Sequence, residues 1–117
     1  MNIFYVNQLN NFSGLYVASA TYEKLLSPDD AELYVAMLDI DGYTDWTLPP
    51  SEAIYHIEYM QKYKYIPEEF HLDKKMAYLT NHPQIITAYT RSMDKRINIA
   101  NPDGREGVVR PVRMVAC

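Results

Sequence analysis

Hydrophobic residues recur at helical spacing in two segments of the first half of the chain. In the earlier segment they fall at positions i, i+3, i+4 and i+7, and they are Ala31, Tyr34, Val35 and Leu38. This stripe predicts an α-helix over residues 28–39. Ser27 can accept hydrogen bonds from the first amides of that helix, and Pro28 suits its first position. Asp29 and Asp30 complement the positive end of the helix dipole.

The later segment predicts a second helix over residues 51–63. Ala53, Ile57 and Met60 share one helical face, and Ile54 lies at the edge of that face. Between the two helices lies a loop, residues 41–50, that holds the only tryptophan and ends in two prolines. Its glycine is placed to close the first helix or the turn that follows it.

The other segments are rich in β-branched and aromatic residues or alternate between polar and apolar ones, which favours short strands. The predicted strands are residues 3–6, 15–18, 76–80, 85–90, 96–100 and 107–115. Turns are predicted at residues 7–13, 81–83 and 101–104, and residues 21–26 are either a connection or a helical turn. Pro111 places the last strand at a sheet edge or a bulge. The pattern predicts an α+β fold, with two helices packed on a short-stranded, mainly antiparallel sheet.

Length and charge limit the classes of protein to which the chain can belong. With 117 residues and 48% hydrophobic residues, residues 1–117 are predicted to form one domain. A net charge of -4 argues against a surface that coats nucleic acid. The N-terminus has neither a basic region nor a long apolar run, so we expect no signal peptide and no membrane insertion. Cys117 is the only cysteine, which leaves a frayed terminus or pairing between chains.

Tyrosine is the unusual feature of the composition, with 11 tyrosines against 3 phenylalanines. Its ring supplies contact area and its hydroxyl a polar tip, which suits half-buried surfaces and interfaces. Tyr55, Tyr59 and Tyr63 form a stripe on the second helix, turned away from its apolar face. We predict that this stripe binds a partner. The alternative is that the rings lie beside Lys62 and Lys64 on a solvated face.

Clustered carboxylates raise the possibility of a calcium site. Asp39, Asp41 and Asp45 lie within seven positions of one another, and hard cations prefer such oxygen ligands. Aligning the loop glycine with the invariant glycine of an EF-hand puts Met37 and Leu48 at the first and last ligand positions, where carboxylates are required. We therefore expect no metal site.

The histidines do not form a catalytic pattern. His56, His71 and His82 lie on different predicted elements, and Glu52, four residues before His56, offers it a surface ion pair. The sequence contains no His-x-x-x-His pair, serine elbow or phosphate-binding glycine loop. We expect neither an enzyme nor a cofactor.

Three motifs carry a resemblance to a known family. They are Ala31-x-x-Tyr34-Val35-x-x-Leu38 in the first helix, Gly42-Tyr43-Thr44-Asp45-Trp46-Thr47-Leu48-Pro49-Pro50-Ser51-Glu52-Ala53-Ile54 in the loop and second helix, and Val109-Arg110-Pro111-Val112-Arg113 near the C-terminus. They resemble the family of the C-terminal domain of Legionella collagen-like protein, and Gly14-Leu15-Tyr16 is similar more loosely. The resemblance implies a compact C-type-lectin-like domain used for display and binding.

The resemblance also implies scaffold roles for seven residues, namely Gly42, Asp45, Trp46, Leu48, Pro49, Arg110 and Arg113. Trp46 would be buried where the two helices meet the sheet, and Asp45 would cap or turn the loop. The chain departs from the family pattern at three positions: Pro50 replaces a helix-capping threonine, Thr47 an arginine and Val35 a cysteine. The catalytic cysteines of the formylglycine-generating branch of this fold are absent.

Three classes of function follow. The resemblance favours a non-enzymatic structural or adhesive component of a bacteriophage virion, which would bind other protein subunits or a host-surface glycan or protein. The second class is a bacterial ligand-binding or adhesion module displayed at the cell surface, which needs an export route that the sequence does not show. The third class, an enzyme, lacks catalytic motifs. The expected location is the virion, and the alternatives are cytoplasmic or exported.

Overall fold

The chain folds into two β-sheets and two α-helices over the residues that the structure describes. The computed structural model describes residues 1–9, 12–81, 84–88 and 96–116. In chain order the strands are β1 (Ile3–Leu9), β2 (Phe12–Ala18), β3 (Lys24–Leu26), β4 (Tyr78–Leu79), β5 (Gln84–Ile86), β6 (Asn98–Ala100), β7 (Gly107–Val109) and β8 (Val112–Ala116). The helices are α1 (Pro28–Ala36) and α2 (Ser51–Lys62), with short 3-10 turns at Ala20–Tyr22 and Glu68–Phe70. The predicted α+β class is confirmed.

The strands form two sheets, so the prediction of a single sheet is wrong. One sheet has the order β1-β2-β8 and the other the order β3-β7-β4-β5-β6. Among the strands of the described residues, the pairings are antiparallel except that of β4 with β7. The chain passes between the two sheets twice, from β2 to β3 and, through the short step of Arg110 and Pro111, from β7 to β8. The predicted single strand over residues 107–115 is therefore two strands, because Pro111 has no amide hydrogen with which to continue a ladder.

The N-terminal hairpin is longer than the sequence predicts. Strands β1 and β2 pair from Ile3 opposite Ala18 to Leu9 opposite Phe12, so most of the predicted turn over residues 7–13 belongs to the strands. Pairing between neighbouring strands has overridden the turn preference of Asn7, which lies opposite Gly14. The prediction failed because strand pairing depends on the partner strand more than on local composition.

The outer face of the three-stranded sheet carries a row of large polar side chains. Tyr5 lies opposite Tyr16, which lies opposite Arg113 on β8. The ring of Tyr5 covers the backbone of Gly14, and a Cβ atom built on Gly14 would lie 2.4 Å from Cε1 of that ring. The inner face of the same sheet carries Val17, which is fully buried.

Helix α1 begins as predicted and ends earlier. The Ser27 hydroxyl accepts a hydrogen bond from the amide of Asp30 at 3.3 Å, and Pro28 occupies the first turn. The helix ends at Ala36 rather than at residue 39. A two-residue turn follows, in which the amides and carbonyls of Ile40 and Tyr43 bond to each other at 3.0 and 3.1 Å.

The residues inside that turn, Asp41 and Gly42, have φ angles of 56° and 90°. Two positive φ angles are what a type I′ hairpin turn requires, and Asp-Gly is a preferred pair for it. Gly42 therefore forms the turn after α1 rather than the end of the helix itself. The Asp39 carboxylate accepts from the Gly42 amide at 2.9 Å and fixes the entry to the turn.

Helix α2 begins at Ser51 and ends one residue before the predicted end. No side chain of the described residues caps its N-terminus, and the carbonyl of Pro50 accepts from the amides of Ala53 and Ile54 at 3.0 and 3.4 Å. Ala53, Ile54 and Ile57 are fully buried, so Ile54, at the edge of the predicted apolar face, is buried as deeply as the residues at its centre.

The core consists of two clusters of buried residues. Trp46, which is 3% exposed, belongs to the cluster that contains Ala31 and Val35 of α1. The buried residues of α2, such as Ile57, belong to the other cluster, together with Phe70 and residues of both sheets. Trp46 is buried as predicted, but the structure groups it with α1 rather than with both helices.

The predicted strands of the second half are present but shorter, and one is exposed rather than half-buried. The alternation of polar and apolar residues over positions 96–100 predicted a half-buried strand, whereas all three residues of β6 are exposed. Ile97 and Ile99 are each 38% exposed, and Arg96 is 4% exposed. The turn at residues 101–104 is confirmed by the Gly104 amide, which donates to the Asn101 carbonyl at 3.2 Å. The predicted turn at residues 81–83 and the end of the strand at residues 89–90 lie largely outside the described residues.

Candidate functional site

The predicted tyrosine stripe on α2 faces outward. Tyr55, Tyr59 and Tyr63 are 40%, 57% and 52% exposed, on the side of the helix opposite the fully buried residues. The Tyr59 and Tyr63 rings contact each other, with centroids 5.0 Å apart and planes at 56°. The rings are thus arranged side by side along the helix rather than buried by the chain's own core.

A fourth tyrosine extends this surface past the end of the helix. The amide of Tyr65 donates to the Met60 carbonyl at 2.8 Å, and the amide of Lys64 donates to the Gln61 carbonyl at 3.1 Å. These two bonds form a Schellman motif, with Lys64 at φ 61° in the position that usually holds glycine. The reversal brings the Tyr65 ring, which is 64% exposed, to 6.3 Å from that of Tyr63.

We call Tyr55, Tyr59, Tyr63 and Tyr65 together the tyrosine surface. The sequence did not identify Tyr65 as a member, because helical periodicity stops at the end of α2. A weak signal was available, since Tyr65 lies two residues beyond the predicted end of the helix, where a hydrophobic residue often packs back onto the last turn.

A groove of about 890 Å³ runs along one side of the tyrosine surface, between α2 and residues 64–74. Its walls include Tyr55 and Tyr59 from the helix and Pro67 from the facing segment. Gln61 holds that segment in place: its side-chain oxygen accepts from the Leu72 amide at 2.8 Å, and its amide nitrogen donates to the Leu72 carbonyl at 3.0 Å. The groove is therefore a formed feature of the fold.

Basic side chains predominate around this groove. The lining includes Lys62, Lys64 and Lys74, against Glu58 and Glu68. The Glu58 carboxylate forms an ion pair with the buried guanidinium of Arg96, which leaves less negative charge to offset the lysines. The Lys62 ammonium lies 5.6 Å from the centre of the Tyr63 ring, within range of a cation–π contact.

Arg96 links the residues around the groove to the segment that follows β5 of the five-stranded sheet. Its guanidinium donates to the carbonyl oxygens of Asp73 at 2.6 Å and Thr87 at 3.2 Å, in addition to its pair with Glu58. These acceptors explain why Arg96 turns inward while the neighbouring isoleucines face out, because a buried guanidinium needs such partners. The alternating pattern of residues 96–100 could not reveal this.

His56 lies beside the tyrosine surface, half-buried. Its ring stacks on that of Tyr59, with centroids 6.4 Å apart and planes at 12°. Its Nε2 atom is buried and has no hydrogen-bond partner among the described residues. Burial lowers the pKa of His56 below its ordinary value. The expected ion pair with Glu52 is absent from the described part of the chain, because the imidazole turns toward the protein.

His71 lies in the wall of the groove and contacts a backbone carbonyl rather than His56. The Nε2 atom of His71 lies 2.9 Å from the Ile66 carbonyl, a contact that closes one wall of the groove. His82 lies outside the described residues.

The three loop carboxylates each have a different partner. Asp39 bonds to the Gly42 amide, and Asp41 accepts from the side-chain amide of Asn2 at 3.1 Å. Asp45 pairs with Arg113. Within the described residues no group of three or more His, Cys, Asp or Glu side chains is arranged to hold a metal ion.

Asp45 and Arg113 connect two of the motifs that carry the family resemblance. The Arg113 guanidinium donates to both carboxylate oxygens of Asp45, at 2.5 and 3.1 Å. It also lies 4.8 Å from the Tyr16 ring and 4.3 Å from the Tyr43 ring. Hydrogen bonding from Arg113 lowers the pKa of the Asp45 carboxyl. Asp45 thus ties its loop to β8 rather than capping a helix.

Arg110 is fully buried and holds three segments together. Its guanidinium donates to the Glu23 carboxylate at 2.8 and 3.2 Å, to the Phe70 carbonyl at 2.7 Å and to the His71 carbonyl at 2.9 Å. The Tyr78 hydroxyl donates to the same carboxylate at 2.7 Å, and burial raises the pKa of Tyr78. No local pattern in the sequence pointed to Glu23 or Tyr78 as members of this network.

The remaining motif residues lie in the loop that enters α2. The Trp46 indole donates to the Tyr43 carbonyl at 2.8 Å. Leu48 and Pro49 are buried, and the Pro49 carbonyl accepts from the Asn81 amide at 2.9 Å. None of the seven residues with an expected scaffold role is among the described residues that line the groove.

Among the described residues no helix is long and apolar enough to cross a membrane. No family model matches this sequence, and neither a curated protein nor a solved structure matches it. The resemblance stated above stays a prediction, and the tyrosine surface is the feature from which function is argued.

Proposed function

We propose that this protein is a non-enzymatic subunit of a larger protein assembly and that the tyrosine surface is its contact with a partner. The observation that carries the proposal is the exposure of four neighbouring tyrosine rings, Tyr55, Tyr59, Tyr63 and Tyr65, beside a formed groove. Tyrosine is enriched at the centres of protein interfaces, where its ring is buried and its hydroxyl bonds to the partner. An exposed aromatic row of this kind has no role in the chain's own core.

The polar groups around the groove support binding rather than catalysis. The Nε2 atom of His71 contacts the Ile66 carbonyl, and the Glu58 carboxylate is paired with Arg96. A general acid or base needs a titratable group that can reach a substrate. Here the groups best suited to proton transfer already serve the fold.

We further propose a C-type-lectin-like fold and a place in a bacteriophage virion. The fold is supported by contact between the motifs that carry the resemblance: Asp45 pairs with Arg113, and Thr47 pairs with Val112 across an isolated bridge. The virion is supported by the family resemblance, and the tyrosine surface suits a repeated contact between subunits. A cryo-electron microscopy structure of the particle would test both.

Replacing Tyr59 with glutamate tests the interface. The ring is 57% exposed, so the variant should fold normally. A charge buried in the centre of an interface should weaken assembly by at least about 2 kcal/mol, or about thirtyfold. Leu25→Glu is the matched control, because Leu25 is 56% exposed on β3 and lies outside the tyrosine surface. Binding would be measured by titration of the purified subunit onto the particle that lacks it.

Two results would contradict this proposal. One is equal assembly by Tyr59→Glu and the unmodified protein. The other is a structure of the intact assembly in which Tyr59 faces open solvent with no protein or ligand against it.

A second candidate function, attachment to a glycan on a cell surface, is favoured by the outer face of the three-stranded sheet. Tyr5 and Tyr43 are 46% and 43% exposed, and Tyr16 contacts both rings at 4.8 and 6.3 Å. Exposed tyrosine rings can stack on sugar rings while their hydroxyls form hydrogen bonds. Loss of glycan-array binding in Tyr43→Ala, but not in Tyr59→Glu, would favour this candidate.

A further inference from the structure

The outward face of α1 has the opposite charge to the groove beside the tyrosine surface. Asp29 and Asp30 are exposed at its N-terminal end, and Leu33 and Met37 are 63% and 84% exposed toward its C-terminal end. Leu33 lies on the side of the helix opposite Val35, which is buried. In the described part of the chain neither aspartate forms an ion pair. The face therefore combines two carboxylates with two large apolar side chains that the chain itself leaves in solvent.

Along α2, the tyrosine surface and the lysines beside it have the complementary order of apolar and charged residues. Tyr55 and Tyr59 lie on its first three turns, and Lys62 lies in its last turn, followed by Lys64. An aromatic region is thus followed by a basic one, toward the C-terminal end. On α1 an acidic region is followed by an apolar one. The two faces match in charge and in apolar character only if the helices run antiparallel.

The spacing of the matching residues is the same on both helices. On α1 the residues lie three and then four positions apart, and they are Asp30, Leu33 and Met37. On α2, counted in the reverse direction, the same spacings give Lys62, Tyr59 and Tyr55. With a rise of about 1.5 Å per residue, these intervals are about 4.5 and 6 Å on each helix. Antiparallel packing would therefore align the aspartate with the lysine and each apolar side chain with a tyrosine.

We propose that α1 of one copy of this protein packs antiparallel against the tyrosine surface of a second copy. The inference rests on the proposed function and names the partner in it. Because one copy contributes α1 and the other contributes α2, the two contacting patches differ, and such heterologous contacts build rings or filaments. Rings and helical tubes are built from contacts of this kind. Each subunit in the assembly would use both of its patches, one for each neighbour.

A second copy accounts for more of the observations than an unrelated acidic protein does. The chain has a net charge of -4, so repulsion between copies must be offset locally, and the lysines of the groove do this at the contact. The same pairing covers Leu33 and Met37, two of the most exposed apolar side chains of the protein. An unrelated acidic partner would leave that face of α1 in solvent.

Charge reversal on each patch separately tests the proposal. The first variant, Lys62→Glu/Lys64→Glu, alters only the α2 patch. The second, Asp29→Lys/Asp30→Lys, alters only the α1 patch. The control, Asp103→Lys/Glu106→Lys, makes the same charge change as the second variant at exposed positions between β6 and β7. Circular dichroism would confirm that each variant is folded before association is measured by sedimentation velocity, from micromolar to millimolar protein.

We expect the unmodified protein and the control to associate as concentration rises. Each patch variant alone should associate at least about tenfold more weakly, because like charges then face each other. An equimolar mixture of the two patch variants should regain association to within about threefold of the unmodified protein, because opposite charges meet again between different chains. High salt should weaken the unmodified contact.

Disulfide trapping would locate the contact. In a Cys117→Ser background, a mixture of Leu33→Cys and Tyr59→Cys proteins should form the mixed disulfide faster than either protein forms a disulfide with itself. Self-association of Asp29→Lys/Asp30→Lys at the unmodified strength would overturn the proposal, since it would show that α1 is not in the contact.

A protein that stays monomeric at every concentration would also overturn it. The proposed function would still stand in that case if Tyr59→Glu abolished attachment to the particle, because the tyrosine surface would then bind a different subunit. Failure of both experiments would remove the inference and the proposed function together.

Discussion

Arg110 offers the sharpest test of what holds Glu23 and the Phe70 and His71 carbonyls beside the step between β7 and β8. We consider Arg110→Met, which keeps an unbranched side chain of similar length and removes the guanidinium. The substitution leaves the Glu23 carboxylate, whose side chain is 19% exposed, without its cation. It also leaves the Phe70 and His71 carbonyls without their donor. Removing one partner of a buried ion pair typically costs about 3–5 kcal/mol, and we expect a loss in that range.

Arg113→Met is the matched control. Arg113 lies three residues later and also has a carboxylate partner, but that partner, Asp45, is 62% exposed. An exposed pair of this kind contributes about 1 kcal/mol or less. The two variants should therefore differ by at least about 2 kcal/mol in the free energy of unfolding. Urea unfolding followed by fluorescence suits the measurement, because Trp46 is the only tryptophan and is buried.

A double variant separates the ion pair from simple packing. Glu23→Met added to Arg110→Met removes the unpaired carboxylate, so the double variant should be at least about 1 kcal/mol more stable than Arg110→Met alone. Equal losses in Arg110→Met and Arg113→Met would refute the reasoning. The reasoning would also be refuted if the double variant lost as much unfolding free energy as Glu23→Met and Arg110→Met lose together when measured separately.

Three further predictions concern single residues. Trp46→Ala should lower the free energy of unfolding by about 3–5 kcal/mol. Trp46→Phe should lower it by about 1–2 kcal/mol, since phenylalanine keeps a ring but loses the hydrogen bond to the Tyr43 carbonyl. If Trp46→Ala melts at the temperature of the parent in thermal circular dichroism, the burial of Trp46 is contradicted. The lowered pKa of His56 means that the unfolded chain binds its proton first, so stability should be full above about pH 6.5 and fall as pH drops below it. In urea titrations at several pH values, His56→Gln should lose less stability as the pH falls. If its stability depends on pH as that of the parent does, His56 is not the cause of the decline. Lys64→Gly should raise the free energy of unfolding by about 0.5–1 kcal/mol because φ is 61° there, whereas Lys64→Ala should give no gain.

Local features of the sequence predicted the helices well. The Ser27 cap, the stripe of α1 and the apolar face of α2 depend on residues within a few positions of one another, and the structure contains all three. The outward direction of Tyr59 follows from the same periodicity. The position of Tyr65 does not follow from this periodicity, because it depends on the backbone reversal at Lys64. The sequence has no glycine at that position to indicate a reversal.

Features that depend on distant partners were predicted poorly. The division into two sheets follows from the pairing of β8 with β2 and of β7 with β3, and neither pairing has a local signal. The burial of Arg96 was missed because its acceptors lie on three other segments. Glu23 was missed for the same reason, since it gains its role only when Arg110 is brought beside it.

The Tyr5 ring above Gly14 restricts which sequences this protein can evolve. A methyl group at position 14 would lie within 2.8 Å of two ring carbons and the hydroxyl oxygen of Tyr5, so Gly14→Ala requires the ring to move first. Conversely, a small residue at position 5 would leave the backbone at position 14 uncovered on the outer face of the sheet. A substitution at only one of these positions would disturb the packing of the ring on the backbone, so the two positions should vary together. Among descendants of this sequence, an aromatic residue at position 5 should mark those that retain glycine at position 14.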